Sequence, residues 1–202
     1  MSQPRKWFTA DPHFGSDARD ILKREMRPFT EPEDYAREQV RIWNGQAGKD
    51  DTIYVIGDFC NCNSFETDFR SGLAVSRRID AHLILITGNN EDRVVELYFG
   101  GSFERFRDCC MREYGFDDVK RNGHTETCGQ RFFLTHRPVD HAKDCLTLFG
   151  HTHRSTGLWK PFGFNVGVDL GHFRLFGDEE LGDLLAQKCL YWDRCPDVNC
   201  LD

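Results

Sequence analysis

The 202-residue chain predicts a single α/β domain. Three observations lead there. Short, nearly continuous apolar runs recur along the sequence, of the length that forms strands buried on both faces. Segments with a helical repeat of apolar residues lie between them. No linker interrupts this alternation of strand and helix, the pattern of one α/β domain.

The elements run in order along the chain. "KWFTA" (6–10) is a short apolar run that ends at polar residues. "TEPEDYAREQVRIWN" (30–44) reads as a helix: Thr30 and Glu33 have capping-box spacing, and Pro32 falls in the first turn. Ala36, Val40 and Trp43 then share one face, and Trp43-Asn44 end the helix against the core. "TIYVIG" (52–57) and "AHLILITG" (81–88) read as buried strands, and "FETDFRSGLAVSRRI" (65–79) and "EDRVVELYF" (91–99) as helices. Residues 100–130 carry Gly100-Gly101 and "RNGHTETCGQ", which predict turns and a hairpin. "RFFLTH" (131–136), "CLTLFG" (145–150) and "FNVGV" (164–168) are further strands. "DEELGDLLAQ" (178–187) is a last helix, followed by a strand "KCLYW" (188–192).

Composition narrows the function classes. The net charge of −7 argues against a general nucleic-acid binder, which needs a basic face to displace counterions. It leaves room for a phosphorylated small substrate, because bound metal ions supply local positive charge. The N-terminus lacks a signal-peptide core, and no apolar run reaches the roughly 18 residues of a membrane span. A cytoplasmic protein off the membrane is expected. Its nine cysteines are then reduced thiols by default, and none has the C-x-x-C spacing of a structural zinc site. "CPDVNC" (195–200) is the one place where a small metal or redox cluster stays open.

The polar residues at the end of each apolar run carry the chemistry. Asp11-Pro12-His13 comes after "WFTA", Asp58 after "YVIG", and Asn89-Asn90 after "ILITG". His136 ends "FFLT", and His151 and His153 come after "LTLFG". In open α/β sheets, sites form at the carboxyl ends of strands. Seven such ligands are too many for one zinc ion and suit two ions sharing a bridge. Asp58, alone after a central strand, is the best bridging candidate. The mixed N and O set fits Mn, Fe, Zn or Ni. In extended backbone, Asp11-x-His13 and His151-x-His153 would each point both side chains to one side.

The ordered set "DPH…GD…GNN…H…GHTH", spanning residues 11–153, resembles the calcineurin-like metallophosphoesterases, and "FNVGVD" (164–169) is similar to their small prokaryotic and phage-type members. The resemblance implies a four-layer α/β/β/α sandwich with two mixed sheets. It implies that Asp11, His13 and His153 hold one metal, that Asn89, His136 and His151 hold a second, and that Asp58 bridges them. Manganese is favoured, with iron, nickel or zinc compatible, and a metal-bridging hydroxide would attack phosphorus in line. Its substrate would be a small phosphate ester or nucleotide-like molecule.

One position departs from the family pattern: Asn90 stands where a histidine usually comes after the asparagine ligand. That histidine is often assigned to protonating the leaving oxygen. An amide has no proton to transfer near neutral pH. Phosphodiesters are therefore favoured over phosphomonoesters and phosphoproteins, which remain the alternative beside a non-catalytic metal-binding scaffold for a protein partner. Asn90 and Arg154 are the expected substrate-side residues. Arg137 and Arg27 are weaker candidates, Arg27 through a loop near the substrate. His82, His124, His141 and His172 are expected outside the ligand set, with His141 the nearest to it in sequence.

Overall fold

The computed structural model describes residues 3–62 and 66–191. The first sheet contains β1 (Lys6–Thr9), β2 (Thr52–Ile56), β3 (His82–Ile86) and β4 (Asp118–Lys120), in that order and all parallel. The second contains β5 (Gly123–Thr127), β6 (Gln130–Leu134), β7 (Leu146–Phe149), β8 (Trp159–Lys160) and β9 (Gly163–Asn165) in the order β5-β6-β7-β9-β8. Its central pairings are parallel and its outer ones antiparallel. Of the two mixed sheets expected, only the second is mixed. Each strand of the first sheet is entered from a connection that returns to its starting edge, so every neighbour runs the same way.

Alternation along the strands builds two cores. Trp7, Ile53, Val55, Leu83 and Leu85 face a helical layer. That layer is α2 (Pro32–Gln46), α3 (Glu66–Ala74), α4 (Asn89–Tyr98) and α5 (Phe103–Glu113), preceded by the short α1 (Arg19–Arg24). Phe8, Ile56 and Ile86 point the other way and meet Phe132, Leu134, Leu148 and Phe164 between the sheets. The second helical layer is, among the described residues, α6 (Asp178–Tyr191), whose Leu181 and Leu184 enter this inter-sheet core.

Several local expectations are corrected. The helix at 30–44 starts with Pro32 in its first turn, but its N-cap is Glu31 and no side chain caps it, so Thr30 and Glu33 form no capping box. Residues 103–113 form α5, where turns were expected. Ser102 caps it by accepting from the Arg105 N–H, and Phe106 and Cys110 are its buried face. The hairpin at 123–134 is present as β5 and β6. "FNVGV" is strand only through Asn165. "KCLYW" is no strand: residues 188–191 continue α6, and Trp192 lies outside the described residues, as does "CPDVNC". Cys60, Cys62, Cys109, Cys110, Cys128 and Cys145 are free thiols.

A candidate metal centre at the strand ends

β1, β2, β3, β6 and β7 all finish at one end of the molecule. The backbone beyond them is stitched into tight turns rather than extended. The Asp11 and His13 N–H groups donate to the Gly57 and Asp58 carbonyls at 3.1 and 3.0 Å. Asp11, His13, Asp58, His151 and His153 all adopt positive φ, between 47° and 70°. The extended geometry expected for the two x-spaced pairs is therefore wrong: left-handed turns aim these side chains. Each such residue costs on the order of 1–2 kcal/mol. The hydrogen bonds across the turns hold them there.

The side chains so aimed converge. Asp11, His13 and His153 present ligand atoms within 4.8 Å of one another, as do Asp11, Asp58 and His136. His13 Nε2 lies 3.7 Å from Asp58 Oδ2 and 3.3 Å from His153 Nε2. On the other side, His136 Nε2 is 3.1 Å from Asn89 Oδ1 and 3.5 Å from Asp58 Oδ1. Asp58 thus stands between the two groups. His151 joins at the rim: its ring is exposed and meets the His136 ring edge-on at 5.1 Å. Its backbone N–H goes inward, to Asp11 Oδ2 at 2.9 Å.

The charges show what the cluster lacks. Burial pushes the Asp11 carboxyl up to about 6 and the His13 imidazole down to about 3. Burial also opposes ionisation of Asp58, but the hydrogen bond and charge of His136 outweigh it and hold Asp58 well below the usual carboxylate range. Burial likewise works against charging His136, yet Asp58 and Asp11 carry it up to about 9. Among the described residues no Lys or Arg side chain pairs with the Asp11 or Asp58 carboxylate. The proton on His136 is the positive charge the cluster draws in. Neutral imidazoles, an amide oxygen and two buried carboxylates around a shared centre fit divalent cations of borderline or hard character.

Supporting residues lie behind the cluster. The His136 Nδ1–H donates to the Ile56 carbonyl at 3.0 Å and the His153 Nδ1–H to Asp169 Oδ2 at 2.9 Å. Each leaves Nε2 facing the cluster, the usual arrangement behind a metal-ligating histidine. Glu91 is fully buried and accepts from the backbone N–H groups of Asp58, Cys60 and Gly88. Arg27 is buried on Asp169 and the Asp11 and Pro12 carbonyls, beneath the site and not in a substrate loop. Sequence reading passed over Glu91, Asp169 and Tyr35 as functional residues. Glu91 did carry a signal, as the acid that closes the "GNNE" motif, and Asp169 closes "FNVGVD".

The family is decided by the sequence itself: residues 4–158 match the model of the calcineurin-like phosphoesterases. The chain belongs to this family. No curated protein has a significant sequence match to this chain. Among solved structures, a protein of unknown function from Aquifex aeolicus shares its fold at 17% identity and a TM-score of 0.63, covering 90% of this chain and 100% of its own. Yfce, a phosphoesterase from E. coli, is 17% identical with a TM-score of 0.44, covering 81% of this chain and 78% of that one. A novel archaeal phosphodiesterase is 14% identical with a TM-score of 0.45, covering 81% and 82%.

Two cavities open on the cluster. One, of about 370 Å³, is lined by His13, Asp58, His151 and His153 together with Asn90, Arg24 and Arg93. The other, also about 370 Å³, is lined by His136 with Arg121, Phe133 and Arg137. Asn89 lines both. The Asn90 amide reaches the first cavity but is tied to the Cys60 carbonyl at 3.0 Å and His13 Nδ1 at 3.1 Å. Arg154 is exposed and lines neither cavity. His141 stays away, its ring stacked on Phe162 at 4.1 Å. His82 pairs with Asp117 on the surface, and His124 and His172 are exposed. Among the described residues no helix is long and apolar enough to cross a membrane.

Proposed function

We propose that the chain is a two-metal phosphodiesterase. The observation that carries this reading is the convergence of Asp11, His13 and His153 on one side of Asp58 and of Asn89 and His136 on the other. In this reading Asp11, His13 and His153 hold one ion, Asn89, His136 and His151 hold the second, and Asp58 is shared. Two divalent ions there, manganese favoured, would neutralise phosphoryl oxygens and ionise a water near neutral pH.

The chain's own groups set which ester is served. Asn90 offers N–H donors and no transferable proton, and its amide is already engaged by Cys60 and His13. An ester whose leaving oxygen needs protonation gains nothing from it. A diester with an acidic leaving group does not need that proton. A diester also has two substituents, and two cavities share Asn89 in their lining, so in this reading each takes one arm. Arg93 and Arg137 stand one in each cavity, able to donate to acceptors on the two arms.

The test is hydrolysis of a bis-aryl phosphate diester beside the matching aryl monoester, with Mn²⁺ and with chelator. Chelator-sensitive cleavage of the diester in excess of the monoester is expected. Equal or greater turnover of the monoester would overturn the diester assignment. Cleavage that survives full chelation would overturn the metal assignment.

A further inference from the structure

A buried polar contact lies under the first half of the site. The Arg27 and Asp169 side chains are both fully buried and meet in a two-point fork, Nε to Oδ1 at 2.9 Å and Nη2 to Oδ2 at 3.0 Å. Nη1 donates to the Pro12 carbonyl at 2.8 Å and the Tyr35 hydroxyl at 3.0 Å, and Nη2 to the Asp11 carbonyl at 2.8 Å. The Tyr35 hydroxyl in turn donates to the Pro12 carbonyl at 2.9 Å. All five guanidinium N–H groups are therefore used. Asp169 Oδ2 also accepts from His153 Nδ1.

A buried ion pair is weak evidence for stability, because desolvating two charges offsets most of their attraction. This one does something more specific. Its arginine grips the two carbonyls of the Asp11-Pro12 turn, where Asp11 and His13 hold φ of 59° and 53°. Its carboxylate fixes the proton of His153 on Nδ1, leaving His153 Nε2 turned to His13 Nε2 at 3.3 Å. The other half of the site has separate supports, Ile56 behind His136 and Asp58 beside Asn89. Asp169 also lies beyond residues 4–158, the stretch matched by the family model.

We propose that Arg27 and Asp169 are a positioning pair that sets one half of the metal site, Asp11, His13 and His153, while Asn89 and His136 in the other half are held by Asp58 and Ile56 instead. The proposal rests on the two-metal reading. A lysine at 27 would keep the charge but not the planar fork that reaches two carbonyls and a carboxylate together.

The experiment is Mn²⁺ binding to the metal-stripped full chain, monitored by the electron paramagnetic resonance of free Mn²⁺. The proteins are wild type, Arg27→Lys, and the double variant Arg27→Met with Asp169→Leu, which removes both charges and leaves neither buried alone. Wild type should bind two ions. The double variant should keep one at wild-type affinity and bind the other about 10–100-fold more weakly. Arg27→Lys should fall between them. A double variant that unfolds cooperatively and binds both ions as wild type does, or loses both equally, overturns the proposal. Fewer than two ions on wild type would instead overturn the two-metal reading. Should the double variant fail to fold, the long-range ¹H–¹⁵N spectrum of metal-free wild type decides. Neutral His153 is expected with its proton on Nδ1, and a proton on Nε2 overturns the proposal.

Discussion

Gly57 shows how closely single residues constrain the site. Its φ is +83°, and a Cβ there would run into the His136 ring. Gly57→Ala should therefore lower thermal stability by more than the roughly 1 kcal/mol of an ordinary Gly/Ala difference, and lower metal content with it. A calorimetric scan and elemental analysis would show both. Unchanged metal content would mean that His136 has room to shift. Asp58 lies between the two ligand groups while His151 stands exposed at the rim, so the two should respond differently. Asp58→Asn should reduce bound Mn²⁺ and diester turnover more than His151→Ala does, and full metal content in both would remove the dinuclear assignment. Asn90→His should raise monoester turnover relative to diester turnover. An unchanged ratio would leave the leaving-group argument without a basis. Asp58, Asn90 and His151 were legible because each is a polar residue that follows an apolar run. Arg27 was not legible in the same way. Its partner Asp169 is 142 residues away, and no local pattern announces a contact at that separation.

Among the elements, the first turn of α4 does the most for the site. Glu91 sits there, and its carboxylate gathers two N–H groups from the segment after β2: Asp58 N–H at 2.9 Å and Cys60 N–H at 3.1 Å. It also accepts from the Gly88 N–H at 2.8 Å, closing the helix start on itself. Glu91→Ala would leave three buried donors unpaired, each costing about 1–3 kcal/mol where water cannot enter. Glu91→Gln keeps one acceptor oxygen and should cost less. Denaturant unfolding of the metal-free variants measures the difference, and equal stability of the two would show that the cavity left by alanine is wet. The elements also show where periodicity was and was not enough. α2 was legible from Ala36, Val40 and Trp43, all of which are buried. α5 was hidden by its neighbours: Gly100 and Gly101, at φ of 62° and 75°, make the turn that precedes it. Its own signals were present in Ser102 and in Phe106 and Cys110 one turn apart. "KCLY" has strand-like composition, but it extends a helix whose Leu181 and Leu184 are anchored between the sheets, so packing overrode local preference.

At the scale of the whole molecule, a chain with net charge −7 folds two of its carboxylates, Asp11 and Asp58, into its interior at one end. Strand order explains how. β1 and β2 are neighbours and parallel, so the residues just past their ends must emerge side by side. The ligands were therefore legible together once the strands were, whereas the left-handed turns that aim them were not. The electrostatic consequence is a linkage between protons and metal. In the metal-free protein Asp58 and Asp11 hold His136 charged up to about 9, but a metal ligand must be a neutral imidazole. Binding at pH 7 must then expel a proton from His136, and Mn²⁺ affinity should rise with pH, by about tenfold per pH unit for each proton released. The rise should flatten above the His136 value of about 9. Below the Asp11 value of about 6 a second proton competes, so the dependence should steepen there. The sign is fixed by the direction of the shifts: a raised histidine and a raised carboxyl both bind protons more tightly than their ordinary values, so acid opposes the metal in each case. Calorimetric titration with Mn²⁺ at pH 7 in buffers of different ionisation enthalpy counts the protons directly. A release of about one proton per chain is expected, from His136. Mn²⁺ binding without proton release at pH 7 would mean that His136 is already neutral, and that the buried carboxylates draw their positive charge from elsewhere.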